Sequence, residues 1–248
     1  MISEEAESFL SHLIELRDRL MRALLAVLLS FLCLLPWAGR IYDLLARPMM
    51  AALPPGTRMI ATGVITPFMV PIKVTLLVAL VVALPVVLYQ AWAFVAPGLY
   101  KNEKRFALPL VIGSTLLFLL GMAFCYFFVF GTVFSFIAQF SPKSITPAPD
   151  IEQYFSFVMT MFLAFGTTFE VPVVVVLLVR FGVVSLEKLR EVRPYAIVGA
   201  FVIAAVVTPP DITSQILLAV PMCLLYEFGL LLARFVAKPA QEVNAPEI

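Results

Sequence analysis

The sequence predicts an all-α polytopic membrane protein with six proline-bent transmembrane helices and both termini cytoplasmic. Three observations carry that expectation. The 248 residues are 62% hydrophobic and only 13% charged, with a mean hydropathy of +1.03, whereas soluble domains run roughly 45–50% apolar and about 25% charged. Charge-free stretches recur six times, at 23–39, 74–100, 106–142, 153–169, 194–210 and 212–226, and a spanning helix needs about 20 apolar residues. Finally, 12 of the 17 Lys and Arg residues fall in 1–22, 93–106, 180–193 and 234–248, the segments that an even number of crossings puts on one side. By the excess of Lys and Arg in cytoplasmic loops, that side is the cytoplasm. Seventeen bases against 16 acids leave no field to recruit nucleic acid.

The elements follow in order. Three acids, Glu4, Glu5 and Glu7, precede any base, so the N-terminus is not expected to be a cleaved signal peptide. Residues 11–20 read as an amphipathic helix with Leu13, Leu16 and Leu20 on one stripe, leading into a first span at about 20–38. Residues 39–72, with Pro48, Pro54, Pro55, Pro67 and Pro71, read as ordered turns over the outer surface. A second span is expected over 72–92 and a third over 107–131, whose excess length emerges near 131–139 as a helix extension or an interfacial segment. A fourth runs 153–179, continuing past Glu170. Spans five and six, 194–208 and 212–233, form an antiparallel pair joined by Thr208-Pro209-Pro210-Asp211, with 14 residues in Pro194–Val207 giving only about 21 Å of helix. The whole of 1–234 is expected to be one membrane domain, and 235–248 a short cytoplasmic tail. Prolines inside the spans (Pro36, Pro85, Pro109, Pro172, Pro221) bend their helices.

Few residues can carry chemistry. Glu170 sits ten positions before Arg180, about 15 Å along a helix and therefore near the bilayer midplane. An acid there costs on the order of 3 kcal/mol to insert and marks a functional site; the structural alternative is a protonated glutamate bonded to Thr167, Thr168, Thr208, Gln215 or Gln90. Glu15 and Glu103 lie in otherwise basic cytoplasmic segments. Spacing alone favours i,i+4 pairs, Glu15 with Arg19 and Asp18 with Arg22, yet two carboxylates on one groove also suit guanidinium ligands, which carboxylates grip with paired hydrogen bonds. Cys33, Cys125 and Cys223 all lie in apolar runs, so packing is their expected role. No phosphate loop, metal-ligand spacing or nucleophile elbow occurs, so neither an enzyme, a metal nor a cofactor is expected.

Several ordered segments resemble one family. They are Ser11-His12-Leu13-Ile14-Glu15-Leu16-Arg17-Asp18-Arg19, Phe94-Val95-Ala96-Pro97-Gly98-Leu99-Tyr100 followed by Glu103, Phe165 to Pro172, Arg193-Pro194-Tyr195, and Thr208 to Gln215. Together they resemble the TatC family, signal-peptide receptors of the twin-arginine protein translocase. That resemblance implies a cup-like concave bundle that binds twin-arginine signal peptides of folded precursors for export driven by the proton-motive force. It implies that Glu15 and Glu103 accept the two arginines, with Arg17, Phe94, Pro97 and Tyr100 shaping the site. Glu170, with Gln215 and Gln90, would form the intramembrane polar site, and Pro48, Thr66, Pro67, Phe68 and Asp211 would be sensitive positions of the outer loops. It also implies TatA and TatB as partner subunits, an oligomer with TatB, and a bacterial inner membrane. The rival reading is a small-solute transporter coupled through Glu170, but such folds show paired halves, and no acid in the first half matches Glu170.

Overall fold

The computed structural model describes residues 2–52, 58–95, 104–140, 148–208 and 211–236. They are almost wholly helical and fall into two compact units, Met1–Gly166 and Thr167–Ile248.

The first unit opens with α1, Ile2–Leu34. Its run of Leu, Ala, Glu and Arg consists of strong helix formers. It ends in a 3₁₀ turn, Leu35–Trp37, where Pro36 occupies the first turn and no side chain caps the start. A second helix, α2, follows at once over Ala38–Ala52 with Pro48 inside it. Here the structure corrects the sequence reading, which placed turns from 39 onward. An internal proline is tolerated when the carbonyl it orphans finds another donor, and nothing local in the sequence shows that donor.

Helix α3, Thr66–Val95, packs along α1 and against α2. Next come α4, Lys104–Phe124, a π turn at Cys125–Val129, and α5, Phe130–Phe140. The third apolar stretch therefore does stay helical to 140, as its length implied. Helix α6, Ile151–Phe169, meets α5 through rings: Phe130 lies 5.2 Å from Phe162, and Phe134 lies 5.7 Å from Tyr154. Gly166 makes room for the buried Phe118 ring; a Cβ there would overlap it.

In the second unit, α7 covers Val171–Arg180, with Pro172 in its first turn. The stretch expected as one continuous helix, 153–179, thus carries a break at Glu170, because the proline two residues on lacks the N–H that would continue the ladder. Gly182, at φ +68°, follows α7 in the left-handed region that glycine adopts without cost. Ser185 caps the short α8, Leu186–Glu191, by accepting from the Lys188 N–H at 3.2 Å. Helices α9, Arg193–Val207, and α10, Ile212–Val236, pack on each other, and α10 also lies against α7. Gly229 sets that approach: a Cβ at 229 would sit 2.9 Å from the Pro172 Cα. Val175, Leu189, Leu230 and Ala233 form the buried cluster beside it.

Among the described residues, five stretches are long and apolar enough to cross a bilayer: Leu10–Ala51, Thr66–Phe94, Leu108–Gln139, Ile151–Arg180 and Ile212–Phe235. The sixth apolar helix, Arg193–Val207, is short at 15 residues, about 22 Å against a hydrocarbon core of about 30 Å.

Candidate functional site

The groove between α1 and α3 gathers several of the expected residues. It encloses about 270 Å³ and is lined by Leu16, Arg19, Leu20, Ala23, Val87, Gln90, Ala91 and Phe94. At its rim His12 stacks on Phe94, centroids 4.3 Å apart. Glu15 is half-buried there, and Arg19 donates to its Oε1 from both Nε (2.9 Å) and Nη2 (2.5 Å). The expected Glu15–Arg19 pair is present. Asp18, however, is held by its neighbour Arg17 at 2.8 Å rather than by Arg22, because the Arg17 side chain folds onto it along the exposed face. Gln90 is buried, and its Oε1 accepts no hydrogen bond among the described residues. It therefore belongs to the same groove as Phe94. Pro97, Tyr100 and Glu103 lie outside the described residues.

Glu170 is 8% exposed and stands at the break between α6 and α7. Its amide donates to the Thr167 carbonyl at 3.1 Å and its own carbonyl accepts from Val174 at 3.0 Å. The hydrogen-bonding side chains proposed as its structural partners are engaged elsewhere in two cases. Thr208 donates its hydroxyl to the Ala204 carbonyl at 2.8 Å, and the Gln215 amide reaches the Phe201 carbonyl at 3.3 Å. Gln215 thereby ties α10 to α9.

Of the positions expected on the outer side, Thr66 is tied into a network that spacing did not reveal. Ile60 and Asp150 form a parallel bridge, with the Ile60 amide on the Pro149 carbonyl and the Ile151 amide on the Ile60 carbonyl, each at 2.9 Å. Asp150 accepts from the Thr62 hydroxyl (2.7 Å) and amide (3.1 Å), and its other oxygen caps α6 by accepting from the Glu152 and Gln153 amides. The Thr62 hydroxyl, then the Gln153 amide, hold its carboxyl below the ordinary aspartate value. Thr66 is buried and donates to Glu152 at 3.2 Å, and Lys73 pairs with the same carboxylate at 2.8 Å. Pro67 and Phe68 are exposed beside it, and Pro48 is half-buried in α2. Asp211 caps α10 through the Ser214 amide at 2.7 Å. The missed members, Asp150, Glu152, Thr62 and Lys73, carried one signal: an aspartate just before an apolar helical run is a capping residue.

Residues 11–221 match the family described as Sec-independent protein translocase protein (TatC). The chain belongs to the TatC family. It is 50% identical over 235 residues to the Sec-independent protein translocase protein TatC of Escherichia coli K12, covering 95% of this chain and 91% of that one. The Aquifex aeolicus TatC is 37% identical, covering 94% and 97%. A crystal structure of the twin-arginine translocase receptor TatC superposes with a TM-score of 0.79 at 38% identity, covering 91% of this chain and 99% of that one. The chain is accordingly a multi-pass inner-membrane component of a Sec-independent protein translocase, a transport subunit of a family not named for catalysis.

Proposed function

We propose that this TatC chain is the translocase's receptor subunit, binding twin-arginine signal peptides of folded precursors at its cytoplasmic face and organising assembly with TatA and TatB. Residues 1–234 act as one membrane domain, crossing six times with α9 as the short fifth span and both ends in the cytoplasm. One observation carries the reading: at the mouth of the α1–α3 groove, Glu15 already holds a guanidinium, that of Arg19, through two N–H groups. A ligand arginine is recognised by the same chemistry, which an ammonium cannot reproduce. Glu103 accepts the second arginine, and Arg17, Phe94, Pro97 and Tyr100 shape the surroundings. The apolar part of the signal then follows the groove wall toward the hydrocarbon. Glu170 and Gln215 serve as intramembrane polar positions, as does Gln90 within its own groove, and the outer positions Pro48, Thr66, Pro67, Phe68 and Asp211 are needed for export. Export draws on the proton-motive force.

The decisive experiment titrates the detergent-purified protein with a fluorescent twin-arginine signal peptide and its twin-lysine form, repeated on Glu15→Ala with Glu103→Ala. Arginine-dependent binding that disappears in the double variant is expected. Equal binding of both peptides counts against carboxylate recognition.

A further inference from the structure

Pro48 poses a problem for α2 that the helix cannot solve by itself. Lacking an N–H, it leaves the Leu44 carbonyl, four residues back, without its ladder donor, and its ring crowds that carbonyl outward. Two hydroxyls from distant parts of the chain arrive there instead. The Tyr126 hydroxyl donates to the Leu44 carbonyl at 3.0 Å, and the Tyr154 hydroxyl donates to the next carbonyl, Leu45, at 2.7 Å. The Leu44 carbonyl orphaned by the proline and its neighbour at Leu45 are thus met by side chains 82 and 109 residues away in sequence.

The placement is built into two other elements. Tyr126 lies in the π turn Cys125–Val129, where the extra residue per turn shifts the side-chain register away from that of α4. Its ring stacks toward Phe162 at 6.4 Å. Tyr154 is buried on the first turn of α6, its ring edge-on to Phe155 at 4.9 Å, and Phe155 in turn meets Tyr42 of α2 at 4.8 Å. We infer that Tyr126 and Tyr154 are positioning residues for the outer helix α2: the Tyr126 hydroxyl supplies from outside the hydrogen bond that Pro48 removes, the Tyr154 hydroxyl adds one at the neighbouring Leu45 carbonyl, and together they fix how α2 is bent and docked. The link to export rests on the proposed sensitivity of Pro48; the structural part does not.

A double-mutant design separates the two. Hydrogen exchange of the α2 amides in detergent, and export of a twin-arginine reporter at equal protein accumulation, are measured for Tyr126→Phe, Tyr154→Phe, Pro48→Ala and the Pro48→Ala/Tyr126→Phe double variant. Each phenylalanine keeps the ring and removes only the hydroxyl. Exchange across α2 should quicken about tenfold in Tyr126→Phe and in Tyr154→Phe, as loss of one hydrogen bond to a backbone carbonyl implies, and export should fall with it. In the Pro48→Ala background the backbone regains an N–H at that position and bonds the Leu44 carbonyl itself, so removing the Tyr126 hydroxyl should change exchange by about twofold or less. Equal effects of Tyr126→Phe in both backgrounds, or none in either, overturn the inference. Coupled exchange with unaltered export keeps the positioning role and removes α2 from the proposed export function instead.

Discussion

Glu15 and Glu170 are the same residue type in the same apolar chain, and their surroundings set different tasks. Glu15 is partly open to solvent and already engaged by Arg19, so its carboxylate can exchange one guanidinium for another at small cost, since exposed pairs are worth at most about 1 kcal/mol. Glu170 is buried at a helix break, where a carboxyl persists only if something uses it. Glu170→Ala is expected to cut export of a twin-arginine reporter at least about tenfold, equivalent to about 1.4 kcal/mol, while the protein accumulates normally; unchanged export would reduce the residue to a structural part. Asp150 offers a test by pH. Its folded value is depressed, chiefly by the Thr62 hydroxyl, so the stability it lends is present above the unfolded value of about 3.9 and drains away as pH falls below it. Limited proteolysis near residues 58–65 should therefore rise as pH drops through that range, and Asp150→Ala should show the high cleavage already at neutral pH. This residue also marks where sequence reading stops. Glu15 and Glu170 stood out because acids are rare in such company, whereas the Asp150–Thr62 bond joins residues 88 positions apart and leaves no local trace.

At the scale of elements, the long apolar helices were legible because bilayer thickness imposes a minimum apolar length and each charge-free stretch meets it or visibly falls short, as Arg193–Val207 does. Two features were hidden for a shared reason. α2 reads as turns, and α6–α7 as one helix, because a proline's effect depends on who satisfies the freed carbonyl, a tertiary fact. Glycines carry similar hidden information. Gly229 admits the α7 backbone against α10, so Gly229→Val should overpack that contact and cost about 1–3 kcal/mol, read as an earlier thermal transition of the purified protein. Ser185→Ala should cost about 1 kcal/mol through loss of the α8 cap, measurable in the same assay.

For the molecule as a whole, the proposed orientation makes a direct prediction. Single cysteines placed at Gln153 or Thr62 in a cysteine-free background should react with a membrane-impermeant maleimide added outside intact spheroplasts, while one at Ser11 should react only after lysis. The reverse pattern would invert the topology and with it the placement of the Glu15 face. A last consequence follows from how the threonines are used. Thr75, Thr115, Thr132, Thr160 and Thr208 each donate their hydroxyl to the carbonyl four residues earlier on their own helix. Each group capable of gluing two helices together in lipid is thereby turned back on its own backbone. At Thr132 and Thr160, the two of these that are exposed, the surface is mute toward the many unrelated helices that diffuse past it, and the choice of companion falls to polar side chains not folded back in this way, Gln90 in the α1–α3 groove among them.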